Sequence, residues 1–235
     1  GDRTSILLPK VQRDLLEAVA ALGKPFVVVL TNGSALSFDV DKPNAILEAW
    51  YYGQRGGDAV AEAIVGETNP AGRLPITFYR SDRDLPPFTN YGMANRTYRY
   101  FKGKPLYAFG HGLSYTTFAY QKLALSSPVG RPGETTKVRV TVQNTGERDG
   151  EEVVQVYATA MQPPVPMPLR QLVGFQRVSF KAGETRTVEI AVPVDALRRW
   201  DEARNRYVVD PGSWEIGVGP SSDRPLLQAT LRVGE

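Results

Sequence analysis

Few side chains in this sequence could do chemistry without help from elsewhere. The chain has no cysteine and a single histidine, His111, so it offers no thiol nucleophile, no thiolate metal site and no pair of histidines to hold a metal ion. His111 lies between two glycines in FGHGLSY, where it could be a general base in principle. No nucleophile lies nearby in the sequence, so we interpret it as a hydrogen-bonded structural histidine between two domains.

A glycine-containing stretch, GQRGGDAVAE, precedes a predicted helix and is superficially like a phosphate-binding turn. It lacks the spacing of both GxGxxG and GxxxxGK[ST], so we predict that its glycines allow close packing of helix and strand. The sequence therefore implies no nucleotide and no other cofactor.

Composition limits the classes of protein to consider. Hydrophobic residues make up 42% of the 235 positions and charged residues 23%, as in an ordinary globular protein. The longest apolar run, FVVVL at residues 26–30, is far shorter than the ~20 residues of a transmembrane helix. Lys and Arg exceed Asp and Glu by only 28 to 25 and are scattered, so neither a membrane nor a nucleic acid is an expected partner.

The first hundred residues alternate between helical and strand patterns. The apolar residues of the first predicted helix, over residues 8–22, recur at spacings of four, four and three: Val11, Leu15, Val19 and Leu22. FVVVL predicts a strand covered on both faces, AILEAWYY is strand-like, AVAEAIVG predicts a helix closed by Gly66, and LPITF predicts another short strand. This is the order of an open α/β sheet, and only half of one is present.

From about Phe118 the pattern changes to short strands. Val138, Val140 and Val142 alternate with polar residues, the period of a half-buried antiparallel strand. Similar runs recur with turn residues between them, which predicts an all-β sandwich of immunoglobulin-like type. The stretch between the halves is rich in Tyr, Phe, Gly and Pro, so we expect it to pack along both domains rather than act as a flexible linker.

Five stretches occur in the order AWYYGQRGGDAVAEAIVGETNPAGRLPITF, RTYRYFKGKPLYAFGHGLSYTTFAY, VRVTVQNTGERDGEEVVQVYA, QLVGFQRVSFKAGET and VVDPGSWEIGVGPSS. Together they resemble the carboxy-terminal part of glycoside hydrolase family 3, the family of β-glucosidases, β-xylosidases and their relatives. The resemblance implies the carboxy-terminal half of an α/β sandwich domain, with the interdomain segment, over residues 1–104. It implies a fibronectin type III-like β-sandwich over residues 105–235.

The same resemblance implies an exo-acting enzyme that removes terminal β-linked glucose or xylose with retention. Such enzymes need two carboxyl groups about 5 to 5.5 Å apart. The nucleophile is then an aspartate of an amino-terminal barrel, and the acid/base is a glutamate expected just before Gly1, so no catalytic residue is assigned within this chain. We expect a piece of a larger enzyme that is inactive alone and whose partners are the barrel-containing portion and an oligosaccharide. The resemblance also implies secretion or a periplasmic location.

Asp2 and Arg3 lie beside the implied acid/base loop, where they could hold the loop or meet substrate at the periphery of the site. The alternative is a local surface ion pair. In this family the loop TNGS at residues 31–34 is expected to be a turn, with Gly33 at positive φ, although it follows a strand at an edge where open sheets bind ligands. Trp50 is expected in a core.

A second function was weighed against the enzyme: a carbohydrate-binding or structural module without chemistry. Within it, the fibronectin-like domain is expected to be a scaffold rather than a sugar binder, because its candidate aromatic residues mostly occupy inward strand positions.

Overall fold

The computed structural model describes residues 3–234 and divides into two compact units. The described residues of the first unit are 3–68, 76–96 and 102–107, and those of the second are 69–75, 97–101 and 108–234. The first unit is α/β and the second is all-β apart from short helical turns, which confirms the predicted fold class. None of the described helices is long and apolar enough to cross a membrane.

The first unit contains two helices and a pair of parallel strands. Their order is α1 (Lys10–Ala20), β1 (Val27–Leu30), β2 (Ala45–Glu48) and α2 (Gly56–Val65). The strands pair in parallel from Val27 opposite Ala45 to Leu30 opposite Glu48. Gly66 closes α2 in the left-handed conformation at φ 80°, as predicted, because glycine has no Cβ to oppose it.

Of two predicted strand segments, one is shorter than the sequence pattern indicated and the other forms no strand. AILEAWYY forms a strand only as far as Glu48, because Trp50 takes a positive φ of 53° that breaks the extended backbone. LPITF forms no strand in the structure. Phe78 makes a single bridge with Tyr107, so apolar residues in that stretch are placed by packing rather than by a sheet.

Helix α1 exposes the apolar face predicted from its periodicity. Val11, Leu15 and Leu22 are 74%, 65% and 68% exposed. The buried cluster of this unit is small, with Leu8, Leu30, Leu36 and Phe38 at its centre. The helix is therefore confirmed, with Leu22 beyond its end. Val11 and Leu15 of its apolar stripe are exposed, whereas Val19 is half-buried.

The second unit is a two-sheet sandwich. One sheet has the order β4 (Val129–Gly130), β12 (Leu227–Val233), β11 (Gly212–Gly219), β6 (Gly150–Met161) and β7 (Gln171–Phe180). The other has the order β3 (Phe118–Leu125), β5 (Thr135–Asn144) and β8 (Thr185–Pro193). A small hairpin pairs β9 (Arg199–Asp201) with β10 (Arg206–Val208), and a short helix, α3, spans Thr97–Tyr100.

Alternating side chains from both sheets form the core of this sandwich. Val138, Val140 and Val142 of β5 are fully buried, as their alternation predicts, and they join Val154 of β6 and Ile216 of β11 in one cluster. Part of the aromatic connecting segment also packs within this unit, because the ring of Tyr98 stacks on that of Phe109 at 4.2 Å. This unit therefore has a continuous apolar core of its own.

Candidate functional site

The carboxyl ends of β1 and β2 define the candidate site of the first unit. The two strands are parallel and end at Leu30 and Glu48, so the residues after them share one edge of the sheet. That edge is where open α/β sheets bind ligands. Asn32 and Trp50 lie there, two residues beyond the last residue of each strand.

Asn32 connects the two strand ends and is only 8% exposed. Its Nδ2 donates to the Ser34 carbonyl oxygen at 2.8 Å and, more weakly, to Glu48 Oε2 at 3.4 Å. Its Oδ1 is buried without a hydrogen-bond partner among residues 3–234. A buried acceptor left unpaired costs about 1 to 3 kcal/mol, so this edge carries an acceptor that an additional donor would satisfy.

Glu48 is the partly buried acid of this edge. Its Oε1 accepts the Trp50 backbone N–H at 3.2 Å. Burial raises the pKa of the Glu48 carboxyl above its ordinary value, and the hydrogen bonds from Trp50 and Asn32 oppose that rise. The sequence analysis missed Glu48, although a lone acid at the end of the apolar run AIL was a usable signal.

Arg3, one of the two predicted peripheral residues, reaches the same edge. Its Nη2 donates to Ser34 Oγ and, at 3.2 Å, to the Ala35 carbonyl oxygen. The loop TNGS therefore meets Arg3 on one side and, through Asn32, Glu48 on the other. Asp2 lies outside the described residues, so its role stays a prediction, and nothing tests a contact of either residue with substrate.

The segment that follows Arg3 is held by an aspartate that the sequence analysis did not single out. Ser5 Oγ donates to Asp82 Oδ2 at 2.6 Å, and the Ile6 N–H donates to Asp82 Oδ1 at 2.8 Å. These two hydrogen bonds, the one from Ser5 first, lower the pKa of Asp82. Ser37 adds backbone hydrogen bonds to Ile6 and Leu8 at 2.8 and 3.2 Å, so this segment is fastened to the unit beside the carboxyl edge.

Gly33 lies against the ring of the exposed Tyr51 at this edge. The prediction of a positive φ is wrong, since Gly33 is not among the positive-φ residues of the chain. A Cβ at this position would lie 2.7 Å from Tyr51 Cε2. The tyrosine ring covers the glycine, which is a tertiary contact that local turn chemistry does not reveal. Trp50 packs edge-on against buried Phe78 at 6.1 Å, but it is half-buried rather than a core residue as expected.

The pKa of Glu48 leads to a pH-dependent prediction. Because the pKa is raised by burial, the folded state binds this proton more tightly than the unfolded state does. The resulting stabilisation is present below the ordinary glutamate pKa of about 4.3 and is lost as pH rises through the folded-state pKa. We therefore expect Glu48→Gln to gain unfolding free energy relative to the wild type as pH rises from about 4 to 7.

Urea unfolding at several pH values measures this difference, followed by tryptophan fluorescence in a background where Trp200 and Trp214 are replaced by Phe, so that the signal comes from Trp50. Glu67→Gln, at an exposed position in the turn after α2, is the matched control. A wild-type-to-variant difference for Glu48→Gln that is the same at pH 4 and pH 7 would contradict the prediction.

The second unit holds buried charges that serve structure. Arg73 Nη2 lies 2.9 Å from Glu152 Oε2, and Tyr120 donates its hydroxyl to Glu152 Oε1 at 3.0 Å. Burial raises the pKa of Glu152, and the charge of Arg73 opposes that rise.

His111 also belongs to this unit, and burial lowers its pKa, so its imidazole is neutral at pH 7. Within the part of the chain that is described, no cluster of three His, Asp or Glu side chains could hold a metal ion.

Two family models match the chain. The family model of the glycosyl hydrolase family 3 C-terminal domain matches residues 1–115, and that of the fibronectin type III-like domain matches residues 152–222. Such a pair defines the carboxy-terminal region of a glycoside hydrolase. The chain belongs to glycoside hydrolase family 3. It corresponds to the carboxy-terminal part of a protein of that family.

Named relatives are β-xylosidases and β-glucosidases. The chain is 42% identical over 98% of its length to a xylan 1,4-β-xylosidase of Xylanibacter ruminicola, and 39% identical over 95% to a periplasmic β-glucosidase of Salmonella typhimurium. Among solved structures it superposes on DesR, a β-glucosidase of Streptomyces venezuelae in complex with D-glucose, with a TM-score of 0.90 and 35% identity over 99% of the chain. It spans only 27%, 31% and 32% of these three proteins.

Proposed function

We propose that this chain is the non-barrel part of a retaining, exo-acting β-glycosidase that releases terminal β-linked glucose or xylose. The relatives named above are a β-xylosidase and β-glucosidases, and the chain spans only about a third of each or less. The catalytic nucleophile then belongs to the portion of those proteins that this chain does not cover. The general acid/base is proposed to precede Gly1.

The observation that carries the proposal is the incomplete first unit. Its sheet has two strands, whereas an isolated strand pair is marginally stable in water and parallel strands are normally covered on both faces. The apolar face of α1 is exposed as well. A further portion of the same enzyme would cover both surfaces, and this unit would gain stability from it.

The carboxyl edge has a positioning role in this proposal. Arg3 is joined to the edge through Ser34 and Ala35, and the segment after it is joined through Asp82. These contacts hold the chain that leads back to the proposed acid/base. Since effective catalysis requires reacting groups within a few tenths of an ångström of their productive positions, the edge would set the distance between acid/base and nucleophile.

Hydrolysis of aryl β-glucoside and aryl β-xyloside tests the proposal. The full-length enzyme should release the aryl group and first form the β-anomer of the sugar, seen by proton NMR, because retention needs a double displacement. The 235-residue chain alone should show no turnover above the buffer rate. Robust hydrolysis by the chain alone, or release of the α-anomer first by the full-length enzyme, would refute it.

The exposed face of α1 gives a second prediction from the same proposal. Leu15 is 65% exposed, so Leu15→Gln should change the unfolding free energy of the 235-residue chain by less than about 0.5 kcal/mol. In the full-length enzyme the same change should cost about 2 to 5 kcal/mol, because the side chain would be covered there. Thermal unfolding of both forms, with Glu17→Gln as a control on the polar side of the helix, measures the contrast. Equal effects in the two forms would contradict the covering of α1.

We also propose that the enzyme is exported to the periplasm or beyond the cell. One named relative is a periplasmic β-glucosidase. Fractionation of cells that express the full-length protein, with immunodetection in each fraction, tests this location.

A further inference from the structure

A pocket of about 570 Å³ opens on the second unit, and all the residues that line it belong to that unit. It lies where β7 begins and β8 ends, next to α3. Polar and aromatic side chains line it: Tyr98, Arg99, Gln171, Asp195, Arg198 and Tyr207. Its volume falls within the range of small-molecule sites, about 300 to 1,000 Å³.

Arg99 is held in place while keeping donors to spare. Its Nη2 donates to Gln171 Oε1 at 3.2 Å, and Gln171, itself buried, is fixed through its Nε2 to the Ala196 carbonyl oxygen at 3.1 Å. The Arg99 backbone oxygen accepts the Leu169 N–H at 2.7 Å. Its Nε is buried without a hydrogen-bond partner within residues 3–234. A guanidinium has five N–H donors. That of Arg99 is therefore held in place while its Nε–H still lacks an acceptor in this part of the chain.

Arg198 differs from its neighbour in sequence. Arg199 forms a two-point contact with Asp210, at 2.5 Å and 3.0 Å. Arg198 instead lies 4.6 Å from the ring centre of Tyr207 and makes no ion pair in the described part of the chain. Its charge therefore remains available at the pocket.

Two aromatic side chains accompany Arg198. Tyr207 meets Trp200 edge-on at 5.2 Å, and the two residues are 59% and 47% exposed. This differs from the expectation that aromatic residues of the fibronectin-like part point inward. Exposed aromatic faces beside polar donors are suited to contact the apolar face of a sugar ring.

The charges of the pocket select for a monoanion. Asp195 is its one acidic lining residue, and its Oδ1 already accepts the Gly133 N–H at 3.1 Å. Two guanidinium groups and one carboxylate leave a single net positive charge among the lining side chains. Asp195 would repel a dianion such as a phosphate ester more strongly than a carboxylate. A carboxylate balances the single net positive charge and fits the forked geometry of arginine.

We propose that this pocket binds a carboxylate-bearing sugar, a uronic acid residue of an oligosaccharide. The carboxylate contacts Arg99 and Arg198, and the pyranose ring lies against the exposed part of Tyr207 that Arg198 does not cover. Such a site would hold an acidic branch or chain of a glycan without taking part in hydrolysis. The proposal does not depend on the catalytic function, because every residue it uses belongs to the second unit.

Methyl β-D-glucuronide and methyl β-D-glucoside test the proposal, since they differ only in a carboxylate against a hydroxymethyl group. Titration of the 235-residue chain, followed by ¹⁵N–¹H chemical shifts including the indole N–H of Trp200, should show saturable binding of the glucuronide. The glucoside should bind at least roughly tenfold more weakly, because it lacks the charge-assisted hydrogen bonds. Equal binding of the two glycosides, or no saturation by the glucuronide, would overturn the proposal.

Variants assign the binding to this pocket. Arg198→Gln, at an exposed position, should keep the native spectrum and weaken glucuronide binding roughly tenfold. Arg206→Gln is the matched control, since it removes the same charge from the residue beside Tyr207 but not from the pocket lining. Equal weakening by the two variants would show a general charge effect and refute the site. Tighter binding of glucose 6-phosphate than of the glucuronide would also refute the chosen ligand class.

Discussion

The Glu152→Gln variant is expected to lose about 3 to 5 kcal/mol of unfolding free energy. The side chains of Arg73 and Glu152 are only 8% and 4% exposed. Glutamine keeps the size of the side chain but removes its charge, which leaves the Arg73 guanidinium buried without a counter-ion. Breaking a buried pair on one side is costly for this reason, even though the intact pair contributes little net stability.

Glu151→Gln provides a control one residue away. Glu151 pairs with Arg177 on the exposed side of β6, so its loss should cost about 1 kcal/mol or less. Urea unfolding monitored by Trp214, which lies in the core of the same unit, compares the two variants. Similar losses from both would contradict the prediction.

A double variant separates the buried charge from the lost contact. Arg73→Met combined with Glu152→Gln removes both charges and leaves an acceptor for the Tyr120 hydroxyl. We expect it to be more stable than Glu152→Gln alone, because no unpaired charge remains in the interior. A double variant less stable than the single one would show that the guanidinium itself, rather than its pairing, is required there.

Gly56→Ala is the second substitution with a large expected effect, about 1 to 3 kcal/mol of lost stability in the first unit. A Cβ at Gly56 would lie 1.8 Å from Tyr52 Cδ2 and 2.6 Å from Tyr52 Cβ. The tyrosine ring could rotate away, but its Cβ is fixed to the backbone, so the start of α2 must move. That movement would also disturb the turn that carries Trp50 at the carboxyl edge.

Gly57→Ala is the control in the next position of the same helix. A Cβ there meets no atom within 4 Å, so alanine should stabilise α2 by about 0.5 to 1 kcal/mol through its better helix propensity. Native-state hydrogen exchange of the α2 amides measures local stability in both variants. Two alanine substitutions that shift exchange in the same direction would contradict the packing argument.

Local pattern was sufficient to predict the fold of both units. The alternation of Val138, Val140 and Val142 predicted a half-buried strand, and β5 buries all three. The helical spacing and the closing glycine predicted α1 and α2. Five motifs in order were enough to recognise the family, which two family models confirm.

The sequence determined less about contacts between distant residues. Periodicity reports which face of an element is apolar, but it does not report what covers that face, and the stripe of α1 is exposed. Similarly, Gly33 was assigned to turn chemistry, whereas the structure places the ring of the distant residue Tyr51 against it.

Only the tertiary structure decided which polar groups meet. Asp82 reaches Ser5 across 77 positions, Arg73 reaches Glu152 across 79, and Arg99 reaches Gln171 across 72. No local propensity encodes such pairs, because they form only when packed elements bring separate segments together and exclude water from them. The sequence therefore determined the family and the two folds, while packing decided the carboxyl edge, the buried ion pair and the pocket of the second unit.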